Sequence, residues 1–466
     1  MSVFKAYDIR GIAGDELDVE FAERLGMAIA THLEAKSVSL VRDIRESSPS
    51  YHEAFVKGLR SAGAGVIDLG ISTTGVLYRS TIDLPVDAAV AITASHNPPE
   101  YNGFKICQGK LPLGGEDLQE IRRTFEAGDF RSGEGSYLSM DEYEDSYIRA
   151  IEESVGKPSR VVKVVLDCGN AVPGPLALRT LERLGVDVIP IYCNWDNSFP
   201  NHPPDPTRHE NMIDLGKAVV EHGAEFGIGM DGDGDRLGVV DENGNFIHSD
   251  RLMGLFVKDV LENLDEGASE EERTIFFDVK CSMALEEAIQ RLGGIPKMVR
   301  TGHTFMKLKL RENPGSPMAG EMSGHFFMND FWDGFDDSIY NAARLLEIVG
   351  RDGSPDHGGV KFSERFDFMP EYPSTDEGKV PLVGEREEVM AEVKSSFSDM
   401  EFSEVDGVRV RYDRGWFLCR PSNTEPILVM RAEAKDQASL EEILTDVELR
   451  IGHVADIGKL KSAPKA

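Results

Sequence analysis

Thr93-Ala94-Ser95-His96-Asn97-Pro98 sets a hydroxyl beside an imidazole, and Lys105 adds an ammonium a few residues later. The apolar run from Ala88 to Ile92 ahead of it reads as a buried strand. Asn-Pro then breaks the backbone into a loop. Ser95 and His96 are thereby expected at the carboxyl end of a strand, where open α/β sheets place their ligands. Hydroxyl, imidazole and ammonium together suggest phosphoryl or acyl chemistry. An ordinary turn is the competing reading, because Ser, Asn and Pro favour turns.

Asp231-Gly232-Asp233-Gly234-Asp235-Arg236 spaces three carboxylates at i, i+2 and i+4. They can converge on one hard cation, and glycine lets the backbone fold tightly around it. Without a cation, carboxylates so close repel each other. An EF-hand loop is a rival, with Glu242 at its twelfth position, but Arg236 stands where that loop needs glycine and the flanks read as strands. Three carboxylates leave coordination positions open, which suits Mg²⁺ shared with a phosphate oxygen.

Gly320-Glu321-Met322-Ser323-Gly324-His325 spaces carboxylate, hydroxyl and imidazole two residues apart. In extended backbone these share a face and could grip adjacent sugar hydroxyls; a structural histidine is the plainer reading. Arg420-Pro421-Ser422-Asn423-Thr424-Glu425-Pro426 joins arginine to a polar turn, a good phosphate nest. Lys280, His303 and the segment Tyr7-Asp8-Ile9-Arg10-Gly11 are weaker signals.

The elements that must position these loops repeat. A strand ending in Asp, an amphipathic helix, a glycine and a second strand occur three times, starting at Val38, Val164 and Ile275. Glycine just past a helix is the expected left-handed stop. Strands alternating with such helices imply βαβ units with parallel strands. Each unit adds a further short strand that ends in one of the first three loops above, so triplication accounts for the pattern better than chance. The last segment differs, with strands expected around residues 408–412 and 427–431 and a closing helix from about Gln437, an α+β pattern. The expected division is 1–140, 141–246, 247–355 and 360–458, with a hinge at 351–359.

Composition bounds the answer. The chain has 466 residues, 41% of them hydrophobic, enough for several packed cores. No apolar run approaches a membrane span, and the N-terminus shows no secretory h-region. The five cysteines form no C-x-x-C pair, so neither zinc site nor disulfide framework is indicated. Cytoplasmic location is the default expectation. The net charge of −32 repels nucleic acid and anionic membranes, so any phosphate site needs local cations. Such a surface serves solubility or adaptation to high salt.

The ordered set T-A-S-H-N-P, D-G-D-G-D-R, G-E-M-S-G-H and R-P-S-N-T-E-P, with Y-D-I-R-G ahead of it, resembles the α-D-phosphohexomutases over nearly the whole chain. The likeness is to the phosphomannomutase/phosphoglucomutase branch, since phosphoglucosamine mutases typically read E-Q-S-G-H and S-G-T-E-P. Val41 stands where relatives usually have Gly, in a stretch read as structural. The resemblance implies an α/β protein of four domains around a central cleft: three repeated, mixed-sheet, βαβ-containing domains, then a smaller α+β domain. It implies that Ser95 carries a phosphoryl group, with one Mg²⁺ held by Asp231, Asp233, Asp235 and a phosphoserine oxygen. Hexose 1- and 6-phosphates of mannose or glucose would interconvert through a hexose 1,6-bisphosphate, which also acts as activator. Lys105 and Arg10 would supply cations at the transferring group, with Lys105, His96 or His325 as general acid/base. Tyr7, Arg236, Lys280, His303, Glu321 and Ser323 would recognise the sugar, and Arg420, Ser422, Asn423 and Thr424 the distal phosphate. A serine-dependent phosphatase, a phosphoglucosamine mutase and a non-catalytic sugar-phosphate binder are the alternatives; monomer and dimer both stay open.

Overall fold

The computed structural model describes residues 3–422 and 426–461. The described residues form four sheets, and the first three share one strand order. In the second sheet, Asp187–Ile191, Lys163–Asp167 and Phe226–Met230 run parallel, and Leu237–Val240 and Phe246–Ile247 continue antiparallel. The third repeats this with Ile295–Val299, Thr274–Asp278 and Met318–Gly320, then Phe326–Met328 and Phe335–Asp336. In the first sheet the parallel set is Gly65–Ile71, Ser37–Arg42 and Ala88–Ile92, followed by antiparallel Tyr101–Gln108. Its fifth position is filled by the N-terminal strand Ile9–Ile12, which carries Arg10 to the sheet's loop edge.

The repeat has local causes. Ala88–Ile92 is buried along its whole length, as a parallel strand covered on both faces must be. The crossover helices Ser48–Ser61, Pro173–Arg183 and Met283–Arg291 bury one stripe each. Gly63, Gly185 and Gly293 follow them at φ +83°, +85° and +83°, the expected left-handed stops.

The helices Thr74–Asp83 and Ser338–Gly350 lock these sheets together. Thr73 and Asp337 cap them, accepting hydrogen bonds from first-turn amides. Tyr78 stacks on Phe335 at 4.9 Å, and the Tyr147 hydroxyl donates to Asp337 at 2.8 Å. A single hydrophobic core runs through all three units. Movement of one unit against another would therefore expose apolar surface.

The fourth sheet is wholly antiparallel, in the order Gly378–Pro381, Ile427–Ala434, Gly415–Pro421, Val408–Tyr412, Phe402–Ser403. Helices Arg386–Ser396 and Gln437–Ile451 cover it around a separate core. The strand Gly415–Pro421 is absent from the sequence reading, because Arg420-Pro421-Ser422 looks like turn. Residues 360–372, assigned from sequence to the last domain, pack elsewhere. Phe362 stacks on Phe226 of the second sheet at 4.3 Å, and Ser363 Oγ donates to Glu242 at 2.6 Å. Arg251 holds the carbonyls of Phe366 and Pro370. The expected hinge at 351–359 thus precedes a strap across the second and third units. Glu242, once a candidate calcium ligand, secures that strap.

Candidate active site

Three of the chemically rich loops occupy the same place in three sheets. Residues 93–100, 231–236 and 321–325 each turn the hairpin between the third and fourth strands. Equivalent hairpins on three packed units bring the loops face to face.

Ser95 is buried, and its backbone sits at φ +51°, a left-handed conformation rare for any residue but glycine. Its amide donates to Thr93 Oγ1 at 2.9 Å. Its Oγ donates to Asp231 Oδ2 at 2.6 Å and lies 3.0 Å from His96 Nδ1. The Asp231 loop is a tight turn, because Asp231 Oδ1 accepts the amides of Gly234, Asp235 and Arg236 at 3.1, 2.9 and 3.0 Å. Gly232 lies so close beneath Ser95 that any Cβ would overlap the Ser95 carbonyl oxygen.

One oxygen of each of Asp231, Asp233 and Asp235 lies within 4.8 Å of the others, and all three residues are buried. Among the described residues Asp233 Oδ1 accepts no hydrogen bond, and Asp233 Oδ2 and Asp235 Oδ1 meet only the cationic side chains of Lys105 and His325. Lys105 Nζ stands 2.7 Å from Asp233 Oδ2 at an ion-pair geometry, and donates to Asp235 Oδ2 at 2.5 Å. Burial and the charges of Asp235 and Asp233 push the Asp231 carboxyl well up. Burial opposes the charge on Lys105 too, but Asp233 and Asp235 outweigh it and raise the ammonium. Three buried carboxylates sharing one lysine remain under-compensated, and an unpartnered oxygen such as Asp233 Oδ1 is costly. A divalent cation would satisfy them, so the residues present fit one.

The 321–325 loop is not extended, so the shared-face expectation fails. Gly324, at φ +80°, turns the chain, and its amide donates to the Glu321 carbonyl at 3.0 Å. The turn itself brings the three groups together: His325 Nδ1 lies 3.1 Å from Glu321 Oε2 and 3.0 Å from Ser323 Oγ. His325 Nε2 is 3.2 Å from Asp235 Oδ1, which joins the third loop to the second. Burial would lower the His325 pKa, yet Asp235 and Glu321 raise it to about 9. His303, its ring 5.6 Å from that of His325, is pulled well down by burial and Lys307. Tyr7 meets His303 edge-on at 5.8 Å. His96 is pulled well down by burial and Arg236. Arg236 Nε is 3.4 Å from His325 Nε2, and its guanidinium faces Asp205 at 3.6 Å. Arg10 donates to Asn97 Oδ1 at 2.5 Å and pairs with Asp8 at 2.5 Å.

The fourth unit approaches through Arg420 at the end of strand Gly415–Pro421. Arg420 Nε donates to Asp406 Oδ2 at 2.8 Å, and that oxygen also accepts the Thr301 amide at 3.1 Å. Next to Thr301, the Gly302 amide donates to Glu321 Oε1 at 2.6 Å. Lys280 Nζ pairs with Glu377 at 2.9 Å, across the same boundary. Ser422 follows Arg420 at the strand's end. Asn423 and Thr424 lie outside the described residues.

Sequence reasoning misses several groups here. Asp205 holds Arg236, Asp406 holds Arg420, and Lys307 bridges Asp336 and Tyr78 at 2.7 and 3.0 Å. Arg45 grips the Ser95 loop from behind. Asp336-Asp337 before an apolar helix offers a signal, but it signals a cap. The others act through partners far away in sequence.

Four family models match the chain in order: Phosphoglucomutase/phosphomannomutase alpha/beta/alpha domain I at residues 1–132, domain II at 145–244 and domain III at 248–372, and the C-terminal domain at 377–449. A Phosphomannomutase/phosphoglucomutase of Pseudomonas aeruginosa is 42% identical over 451 residues, covering 95% of this chain and 94% of the relative. A Phosphoglucomutase of Neisseria gonorrhoeae is 39% identical over 454 residues, covering 95% of both. A crystal structure of a Phosphoglucomutase/phosphomannomutase family protein from Burkholderia thailandensis superposes with a TM-score of 0.88 at 37% identity, covering 99% of this chain and 98% of that one.

Proposed function

We propose, from the premise that this chain belongs to the phosphoglucomutase/phosphomannomutase family and is a phosphohexomutase, that it works through a phosphoryl group carried on Ser95. The observation that carries this reading is the place of Ser95 Oγ, 2.6 Å from Asp231 and beside the Asp233–Lys105–Asp235 cluster. Substrates are the 1- and 6-phosphates of mannose or glucose.

In the first half-reaction a free sugar hydroxyl attacks the phosphorus of phosphoserine. The new O–P bond forms as the Oγ–P bond breaks, giving a hexose 1,6-bisphosphate. The sugar hydroxyl gives up its proton and the departing Ser95 Oγ gains one, with Lys105, His96 and His325 the candidates to relay it. The bisphosphate then presents its other phosphoryl group, and Ser95 Oγ takes it back. The transfer needs in-line placement and balanced charge more than covalent help. Lys105 and Arg10 supply positive charge beside Ser95. His325, held protonated between Asp235 and Glu321, adds a third cation on the sugar side. His96, held neutral 3.0 Å from Oγ, can hold the serine proton. Asp231, Asp233 and Asp235 would hold one Mg²⁺, which when bound neutralises phosphoryl charge.

Glu321 and Ser323 beside His325, with His303 and Tyr7 next to it, would orient the sugar. Arg420, Lys280 and Ser422, joined by Asn423 and Thr424, would hold the phosphate that is not reacting. Among the described residues no helix is long and apolar enough to cross a membrane, and a cytoplasmic enzyme acting on free hexose phosphates is the reading proposed here.

The test supplies glucose 1-phosphate, mannose 1-phosphate and glucosamine 1-phosphate separately, with Mg²⁺ and a trace of hexose 1,6-bisphosphate. The expected product is the 6-phosphate of glucose or mannose. Free phosphate as the main product would mean a phosphatase, and preference for glucosamine phosphate would move the chain to the other branch.

A further inference from the structure

Arg45 is enclosed against the Ser95 loop, and its side chain is 1% exposed. Its two terminal nitrogens both donate to backbone carbonyls of that loop and of the strand that follows it. One terminal nitrogen donates to the Ser95 and Asn97 oxygens, both at 2.7 Å. The other donates to the Pro98 and Tyr101 oxygens at 2.6 and 3.1 Å. Nε pairs with Asp43 at 3.0 Å, and Phe199 of the second unit covers the guanidinium at 5.5 Å. Asp43 in turn accepts from the Arg45 amide and from Ser48 Oγ, which fixes the arginine's own root.

We propose that Arg45 is a positioning residue for the phosphoryl transfer, holding the Ser95 loop in the one backbone shape that turns Oγ toward Asp231. This rests on Ser95 being the phosphoryl carrier. The left-handed backbone at Ser95 costs energy, and such strain persists only where surroundings over-determine it. Four carbonyls drawn to one planar fork supply that determination, which no single-point cation can reproduce. The same fork cancels the carbonyl dipoles gathered behind a serine that is to carry a phosphate dianion. Arg45 reaches the Ser95 loop through backbone oxygens and not through the Ser95 hydroxyl, so its loss should change the rate of transfer more than binding.

Arg45→Lys keeps the charge opposite Asp43 and removes the fork. Its folded state is checked by Tm. We expect kcat to fall by about 100-fold, the scale of an ångström-sized misplacement, with KM for glucose 1-phosphate within twofold of wild type. Phosphorylation of Ser95 by glucose 1,6-bisphosphate, followed by intact mass, should slow by the same factor. A second arm adds guanidinium to Arg45→Ala at constant folded fraction, and kcat should recover as guanidinium rises. Unchanged kcat in Arg45→Lys, a rise in KM alone, or no rescue of a folded Arg45→Ala would overturn the proposal. Wild type that takes no phosphate on Ser95 would instead overturn the reading beneath it.

Discussion

Ser95 Oγ donates to Asp231 Oδ2 at 2.6 Å across 136 residues of sequence. The bond joins the loop of the first unit to the loop of the second. Backbone contacts hold the same junction: Thr74, opening a helix of the first unit, donates to the Asp233 carbonyl at 3.0 Å, and Ser338, opening a helix of the third, donates to the Gly234 carbonyl at 3.0 Å. The carboxylate loop is thus clamped by helix starts from the units on either side.

Ser95→Ala should leave Tm within a few degrees of wild type, because one loop hydroxyl contributes little to stability. Turnover should be lost. Intact mass should show wild type heavier by one phosphoryl group after incubation with glucose 1,6-bisphosphate, and the variant unchanged. A phosphate mapped to another residue would remove Ser95 from its assigned place.

Asp233→Asn removes one charge from a buried carboxylate that faces Lys105 Nζ at 2.7 Å. Mg²⁺ affinity, read by calorimetry, should weaken by at least tenfold, on the order of 1.4 kcal/mol or more. Chelator should abolish wild-type activity and added Mg²⁺ restore it. Full activity in excess chelator would leave the aspartate loop as a structural turn.

Gly232→Ala should push the two loops apart, since its Cβ would overlap the Ser95 carbonyl oxygen. Overpacking of this kind costs about 1–3 kcal/mol. The Tm should fall and kcat should fall further than the unfolded fraction explains. Unaltered kinetics would show that the Ser95 and Asp231 loops need not touch.

If one distal pocket at Arg420 serves both orientations, as proposed, Arg420→Ala should raise KM for 1-phosphate and 6-phosphate substrates by similar factors. Truncating one partner of a buried charge pair costs about 2 kcal/mol or more, which is roughly 30-fold in apparent affinity. Free bisphosphate should accumulate during turnover, as the intermediate is held less firmly. An effect in one direction alone would mean that the pocket is not shared.

Glu377 links the last unit to Lys280, and its carboxyl is held at about 2: burial would raise it, but Lys280 outweighs burial. A depressed carboxyl stabilises the fold above its ordinary value of 4.5 and loses that contribution as pH falls toward 2. Glu377→Gln should therefore lower Tm at pH 6 to 7, with the gap to wild type closing below about pH 4. A gap independent of pH would mean that Glu377 acts by packing.

Much of this protein was legible in one dimension. Ala88–Ile92, Phe226–Met230 and the three crossover helices follow from periodicity, buried apolar runs and glycine stops, all encoded within about a dozen residues. The three loops were legible because their chemistry is dense and their residues adjacent. Two local readings failed for local reasons. Glu321, Ser323 and His325 converge through a turn at Gly324 and not along a strand, and Arg420-Pro421 ends a strand that its own composition disguises.

What the sequence left undetermined was the meeting of the loops. Hairpins at equivalent places face each other only because helices Thr74–Asp83 and Ser338–Gly350 wedge the units at one angle, and that angle is set by side-chain packing across hundreds of residues. The same holds for Arg45, Asp205 and Asp406. Each is an unremarked charged residue in sequence, and each acquires its role from a partner more than a dozen residues away. Local propensity is written in neighbouring residues, whereas the fields and contacts that shape a buried site depend on distances that only the folded chain defines.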